Sequence, residues 1–273
     1  LTLIHHIAEI IVKRWLAHLP PVVTVSLGAL LLAHGPIPQL AHYNEFADQS
    51  VLLGLPHAAD VLSNLGFAAV AAWGMLRLWP MQAGASLNAG RHGYRLFLIG
   101  LLLTAFGSGL YHLAPDNARL VWDRLPIALA CAGLLAAVRA ECLSKPDART
   151  DAWLLGMFAV LSVAWWYVTE QHGAGDLRPY LFLQCLPLIL IPMWQFIYCA
   201  PRRDRIAFGF ALALYVVAKF AELNDHEVLA ALGVISGHTI KHLLATAAAA
   251  VIVRRLIERQ HAPHAISSAR VIA

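Results

Sequence analysis

The chain is built of long apolar runs separated by short polar breaks, and run length predicts membrane-spanning helices, which need about 20 mostly apolar residues. Eight runs meet or approach that length. The weakest is Pro21 to His34; the others are Asp60 to Trp79, Tyr94 to Ala114, Val121 to Glu141, Ala152 to Thr169, Pro179 to Cys199, Ile206 to Leu223 and Gly237 to Ile257. Ahead of them Leu3, Ile4, Ile7, Ile10 and Ile11 recur at helical spacing beside Lys13 and Arg14, which predicts a helix lying on the membrane surface. Glycine and proline mark the breaks, as at Gly35 to Pro38, Gly90 to Gly93, Pro115 and Gly173 to Asp176. The longest break, roughly 24 residues between the first two runs, has the length of a lid or binding element. It carries His42, Tyr43, Asn44, Glu45, Asp48, His57 and Asp60.

Composition agrees with this pattern. The 273 residues are 59% hydrophobic and 13% charged, and the mean hydropathy of +0.64 is that of a membrane protein. The net charge of +4 matters through its placement. If the N-terminus faces the cytoplasm, all Lys and Arg except Arg119, Arg124, Arg178, Lys219 and Lys241 fall on the cytoplasmic side. That bias predicts eight spans with both termini inside, and no nucleic-acid partner. The four cysteines, Cys131, Cys142, Cys185 and Cys199, lie in or at the ends of apolar runs without CxxC spacing, so neither a disulfide framework nor a cysteine metal site is expected.

The polar residues inside the runs carry the candidate chemistry. Ser108 and His112 are four apart and share a helix face; His238 and His242 repeat that geometry in the last run. Asp123 opens the run that follows His112, so an antiparallel hairpin sets it at the depth of that histidine. Three imidazoles leave one position of a tetrahedral Zn²⁺ site open for water, whose pKa the metal lowers to about 7. Asp123 then serves as acid/base and Ser108 as the partner of a developing oxyanion or of the water. Each residue also has a plainer role: a histidine as an interhelical hydrogen-bonding group, Ser108 as a small packing residue, Asp123 as a helix cap or a partner of Arg124.

The spacing Ser-x-x-x-His, an Asp eleven residues after that His and a late His-x-x-x-His resembles the alkaline ceramidases, within the CREST group of membrane hydrolases. Val61-Leu62-Ser63-Asn64-Leu65 is similar to the start of that family's first core helix, and Asp123-Arg124-Leu125-Pro126 to its Asp-Glu-x-Pro sequence. The tracts Ala41 to Gln49 and Gly175 to Tyr180 look like its bacterial branch. The resemblance runs from Ala59 to Arg259. It implies an all-α, polytopic membrane protein: a seven-helix transmembrane bundle (59–259) preceded by an amphipathic segment, one additional transmembrane helix and an exterior loop (1–58) and followed by a cytoplasmic tail (260–273). It also implies Zn²⁺ held by His112, His238 and His242, Asp123 and Ser108 as catalytic groups, and cleavage of the amide of a ceramide-like lipid to a fatty acid and a sphingoid base. The location implied is a bacterial inner membrane, with the site towards the periplasm. The family's Ca²⁺ ligands are not matched: Glu45, Asp48, His57 and Asp60 have a different spacing, and His57 stands at a carboxylate's position.

Two other functions use the same residues: a non-enzymatic lipid sensor with a structural metal, and a haem protein with histidine axial ligands. Hydrolysis of another lipid amide or ester is a further alternative within the same fold. Among the remaining polar groups, Lys219, Glu222 and Asp225 are expected to form a helix-end ion pair, with Glu222 or Asp225 as the alternative orienting group for a ligand histidine. Lys241 is expected to snorkel away from the site. Trp153, Trp165, Trp166, Tyr167 and Trp194 are expected in an interfacial belt, and Ser63 and Asn64 in interhelical hydrogen bonds.

Overall fold

The structure is a computed structural model, described for residues 15–79, 87–145 and 147–261. The surface helix expected before Trp15 and the tail beyond His261 lie outside the described residues. The elements are α1 (Leu19–His34), a hairpin of β1 (Val51–Leu52) and β2 (Leu55–Pro56), α2 (Ala58–Ser63), α3 (Leu65–Leu78), α4 (Arg91–Leu113), α5 (Asn117–Cys142), α6 (Arg149–Gln171), α7 (Arg178–Ile197), α8 (Arg202–Leu223), α9 (Asp225–Leu232) and α10 (Gly237–His261). The fold is therefore all-α apart from one antiparallel hairpin of two-residue strands.

Six helical stretches are long and apolar enough to cross a membrane: α2 with α3, and α4 to α8. That is the pattern of a multi-pass membrane protein. The other two expected runs are also helices but fall short of the same measure. α1 has 16 residues. α10 has 25 but carries Lys241, Arg254, Arg255, Glu258 and Arg259. Several of those charges are paired against neighbouring helices, Lys241 with Glu222, Arg255 with Asp204 and Arg259 with Glu141.

α4 and α5 form the tightest pair, and two residues explain how they meet at the polar end. Pro126 lies inside α5 and has no N–H for the carbonyl of Trp122 four residues earlier. That carbonyl faces Gly107 of α4, where a Cβ would sit 1.9 Å from its oxygen. Only glycine allows this approach, and it sets Ser108, the next residue of α4, beside the turn of α5 that carries Asp123. At the other end of the chain Gly237 plays the same part, since a Cβ there would meet the Ala221 carbonyl at 2.1 Å. The first turn of α10, with His238, is thereby pressed against α8.

The aromatic belt is only partly as expected. Trp153 is exposed, but Trp166 and Trp194 are buried core residues, and Trp165 donates to Asp176 at 3.0 Å. Trp166 is covered because the guanidinium of Arg124 stacks on it.

Candidate metal centre

His112 from the last turn of α4 and His238 and His242 from the first two turns of α10 converge, all three buried, with one ligand atom from each within 4.8 Å of the others. The Nε2 atoms of His112 and His238 are 3.2 Å apart, and Ser108 Oγ is 3.5 Å from Nε2 of His242. In tetrahedral zinc sites two imidazole nitrogens stand roughly 3.3 Å apart, given Zn–N bonds of about 2.0–2.1 Å.

Neighbouring groups fix the ring of His242. Ser63 Oγ donates to the Asp60 carbonyl at 2.8 Å, so its lone pairs face His242 Nδ1, also 2.8 Å away. The Asp60 carbonyl accepts as well, at 3.2 Å from Nδ1. With acceptors on that side, Nδ1 carries the proton and Nε2 keeps its lone pair towards the cluster. His238 is held through its backbone, whose N–H donates to Asp225 Oδ1 at 2.7 Å. Lys241 Nζ lies 2.7 Å from His238 Nε2 and donates to the one lone pair of that nitrogen, so a metal held there takes over that lone pair and leaves Lys241 to its second partner, Glu222. His112 Nδ1 is buried without a partner. Three imidazoles that gather lone pairs in a buried space fit a cation. Haem does not fit among them: their ring centroids are 4.7 to 5.1 Å apart, in direct contact, with no gap for a macrocycle.

The loop between α1 and α2 closes over this cluster. Phe46 packs edge-on against His112 and His238, with both centroid distances 4.5 Å. Ala47 N–H donates to Asp225 Oδ2 at 2.9 Å, and Tyr111 Oη donates to Asn44 at 2.7 Å. Asp48 secures the base of the loop by accepting the backbone N–H groups of Ser50 and Asp60, at 2.9 and 3.0 Å. Burial works against its charge, but these bonds and the Ser50 hydroxyl hold its carboxyl below the ordinary range.

A cavity of ≈ 140 Å³ is lined by Ser108, Asp123 and His242, by the charged Lys219, Glu222 and Lys241, and by apolar residues that include Phe97, Leu101, Leu134 and Ile252. From His242 to Ile252 along α10 is ten residues, about 15 Å of helix, enough for an extended hydrocarbon tail.

The structure thus brings together His112, His238 and His242, and sets Ser108 and Asp123 on one cavity with His242. The plainer roles for Asp123 do not hold. Asp116 is the residue that caps α5, accepting from Arg119 N–H, and Asp123 Oδ1 is buried with no hydrogen-bond partner. Glu45, Asp48, His57 and Asp60 do not form one ligand set: Glu45 bonds the exposed His42, His57 Nδ1 meets the Asp48 carbonyl, and Asp60 accepts from Thr239 and Ser236. Among the described residues, the group able to hold a metal is the histidine triplet.

Lys241 corrects its expectation: it reaches the cluster instead of snorkelling away, and Glu222 bridges it to Lys219, at 3.1 and 2.7 Å. Phe46 escaped sequence reasoning because a loop residue carries no periodic signal. Ser63 was legible as a hydrogen-bonding residue, but its partner was not. Compared with known proteins, the chain matches no family model, no curated protein and no solved structure.

Proposed function

We propose that this protein is a zinc-dependent intramembrane amidohydrolase that cleaves a ceramide-like lipid amide to a fatty acid and a sphingoid base, as a member of the alkaline ceramidase family. The observation that carries this reading is the buried triplet His112, His238 and His242, of which His242 lines a largely apolar cavity together with Ser108 and Asp123. In this reading α2 to α8 and α10 form seven spans, with α1 as an additional one. Both termini are cytoplasmic, and the histidines lie near the periplasmic face of a bacterial inner membrane.

A zinc ion on the three imidazoles supplies Lewis acidity and an activated water at neutral pH. The chain supplies the rest. Asp123, whose Oδ1 has no competing bond, takes a proton from the nucleophile and returns it to the leaving amine. Ser108 donates its hydroxyl proton to the developing oxyanion. Phe46 covers the imidazoles and excludes bulk water, which strengthens both contacts. The acyl tail lies in the apolar cavity.

Elemental analysis of the purified protein, together with fatty-acid release from a short-chain ceramide in micelles, tests the proposal. Close to one zinc per chain is expected, with zinc and turnover both lost in His242→Ala. A protein without zinc whose activity is unchanged in that variant would overturn it, and zinc without turnover of the ceramide would replace it with a sensor or with a hydrolase of another lipid amide or ester.

A further inference from the structure

A groove of ≈ 390 Å³ opens on the outer face of the bundle between α4, α5 and α6. It shares no lining residue with the cavity at the histidines. Short turns join α4 to α5 and α5 to α6, so α4 and α6 run parallel and begin at the same end. Their first turns set His92 and Arg149 at the mouth of the groove. From there one face of α6 leads inward through Trp153, Gly156, Met157 and Val160, with Leu96 of α4 and Leu129 of α5 opposite. Val160 is eleven residues beyond Arg149, about 16 Å of helix, and the hydrocarbon of one membrane leaflet is about 15 Å deep. Gly156 keeps the groove open: an added Cβ would have one neighbour within 4 Å, Leu96 at 3.7 Å. A groove that is charged at one end and apolar for the depth of a leaflet has the shape of a phospholipid.

The charge at the mouth selects the head group. Arg149 is exposed; among the described residues its guanidinium forms no hydrogen bond or ion pair, and only its backbone N–H reaches Asp147, at 2.8 Å. The charges acting on His92 are those of Arg91, Arg95 and Arg149, all positive, and that of Asp147. Arg91 Nη2 stands 3.5 Å from His92 Nε2, whereas Arg95 turns to the carbonyl and ring of Trp79. The next acid, Asp151, is engaged by Arg139 and Lys145, at 2.6 and 3.0 Å. Outside the described residues the chain has a single acid, Glu9. An uncompensated arginine at the polar end of a groove between membrane helices attracts an anionic lipid. Trp153, one turn inward and 69% exposed, suits the boundary between head groups and tails. We propose that this groove binds one anionic phospholipid, with its phosphate at Arg149 and His92 and an acyl chain along α6 against Leu96 and Leu129. The lipid is bound and not cleaved, so the inference stands apart from the hydrolase reading.

The test is native mass spectrometry of the full chain in neutral maltoside micelles, with dioleoylphosphatidylglycerol and dioleoylphosphatidylcholine at equal concentrations. One retained phosphatidylglycerol per chain is expected, favoured over phosphatidylcholine by at least roughly fivefold, the contribution of one arginine near a membrane surface. Arg149→Gln should lower that preference about fivefold, and Arg149→Lys should keep it. Gly156→Leu favours the helix but fills the groove, and should lose the retained lipid. Equal retention of both lipids by the wild type overturns the proposal, and that measurement needs no variant to fold. A preference that survives Arg149→Gln or Gly156→Leu undiminished also overturns it, by placing the lipid elsewhere on the basic end of the bundle. Displacement of the lipid by millimolar glycerol phosphate would assign Arg149 to free anions and overturn the role of the apolar walls. A wild type that is dimeric in the same spectra, with Gly156→Leu monomeric, would give the groove to a second copy of the chain and overturn the lipid assignment.

Discussion

Ser63 shows how a single hydroxyl fixes the tautomer of a candidate ligand. Its proton is committed to the Asp60 carbonyl, so it can only accept from His242 Nδ1. Ser63→Ala should therefore lower zinc affinity roughly 10- to 100-fold, the usual loss when a ligand's outer partner is removed. Chelator competition measures it, and unchanged affinity would mean that the Asp60 carbonyl orients the ring alone. Asp123→Asn separates chemistry from binding. The amide keeps the size but not the basicity, so turnover should fall by roughly 10² to 10⁴ with zinc content intact. If zinc is lost with it, Asp123 supports the metal site instead of moving protons. The histidines, Ser108 and Asp123 were legible because four-residue spacing within a helix and equal depth across a hairpin are local geometry. The Lys241–His238 contact follows from the same local geometry, a three-residue spacing in α10; what no spacing in α10 reports is Glu222 of α8, the other partner of Lys241.

At the scale of the helices, apolar runs located the long elements because burial and lipid exposure favour the same residues. What they missed is also physical. The second run is divided at Asn64 into α2 and α3, and Asn64 donates to the Asp60 carbonyl, a local side-chain bond that competes with the helix ladder. α9 is an eight-residue helix, too short to stand out as an apolar run of its own. The closeness of α4 and α5 was written in Gly93, Gly100 and Gly107, at seven-residue spacing. Each lies within 2.6 Å of α5 backbone atoms once a Cβ is added. Gly107→Ala should destabilise the protein by about 1–3 kcal/mol through overpacking against Trp122 and lower turnover by separating Ser108 from Asp123. Gly109→Ala is the control on the same helix: its Cβ meets nothing within 4 Å, so stability should hold or rise by up to about 1 kcal/mol from helix propensity. Thermal denaturation in micelles distinguishes them, and equal effects would refute the close-approach argument.

Over the whole molecule, a clamp joins the chain leaving α1 to the turn between α6 and α7. Asp176 is its centre, 3% exposed. It accepts from the Arg178 guanidinium at 2.8 to 3.1 Å, from Trp165 Nε1 at 3.0 Å and from the Ile37 N–H at 3.4 Å. Leu177 N–H returns the link to the Ile37 carbonyl at 2.8 Å. Burial pushes the Asp176 carboxyl up, but the bonds from Arg178, Trp165 and Ile37 outweigh it and hold the group well below the ordinary carboxylate range. A pKa lowered by folding contributes stability that is complete above the unfolded value, about 3.9, and is lost as pH falls below it towards the folded value. Asp176→Asn keeps the shape but gives up the charge-assisted bonds, which contribute about 1.5–3 kcal/mol each in mutational series. The variant should therefore melt lower than the wild type at pH 7, and the gap should narrow progressively from about pH 4 downwards as the native carboxylate takes up its proton. A gap that stays constant from pH 7 to pH 3 would show that Asp176 acts through shape alone. A normal gap combined with unchanged protease access to the 35–45 loop would show that the clamp stabilises α7 without holding α1. The expected result is increased cleavage of that loop in the variant, because an amide oxygen is a weaker acceptor for Ile37 N–H and the Arg178 guanidinium than the carboxylate it replaces.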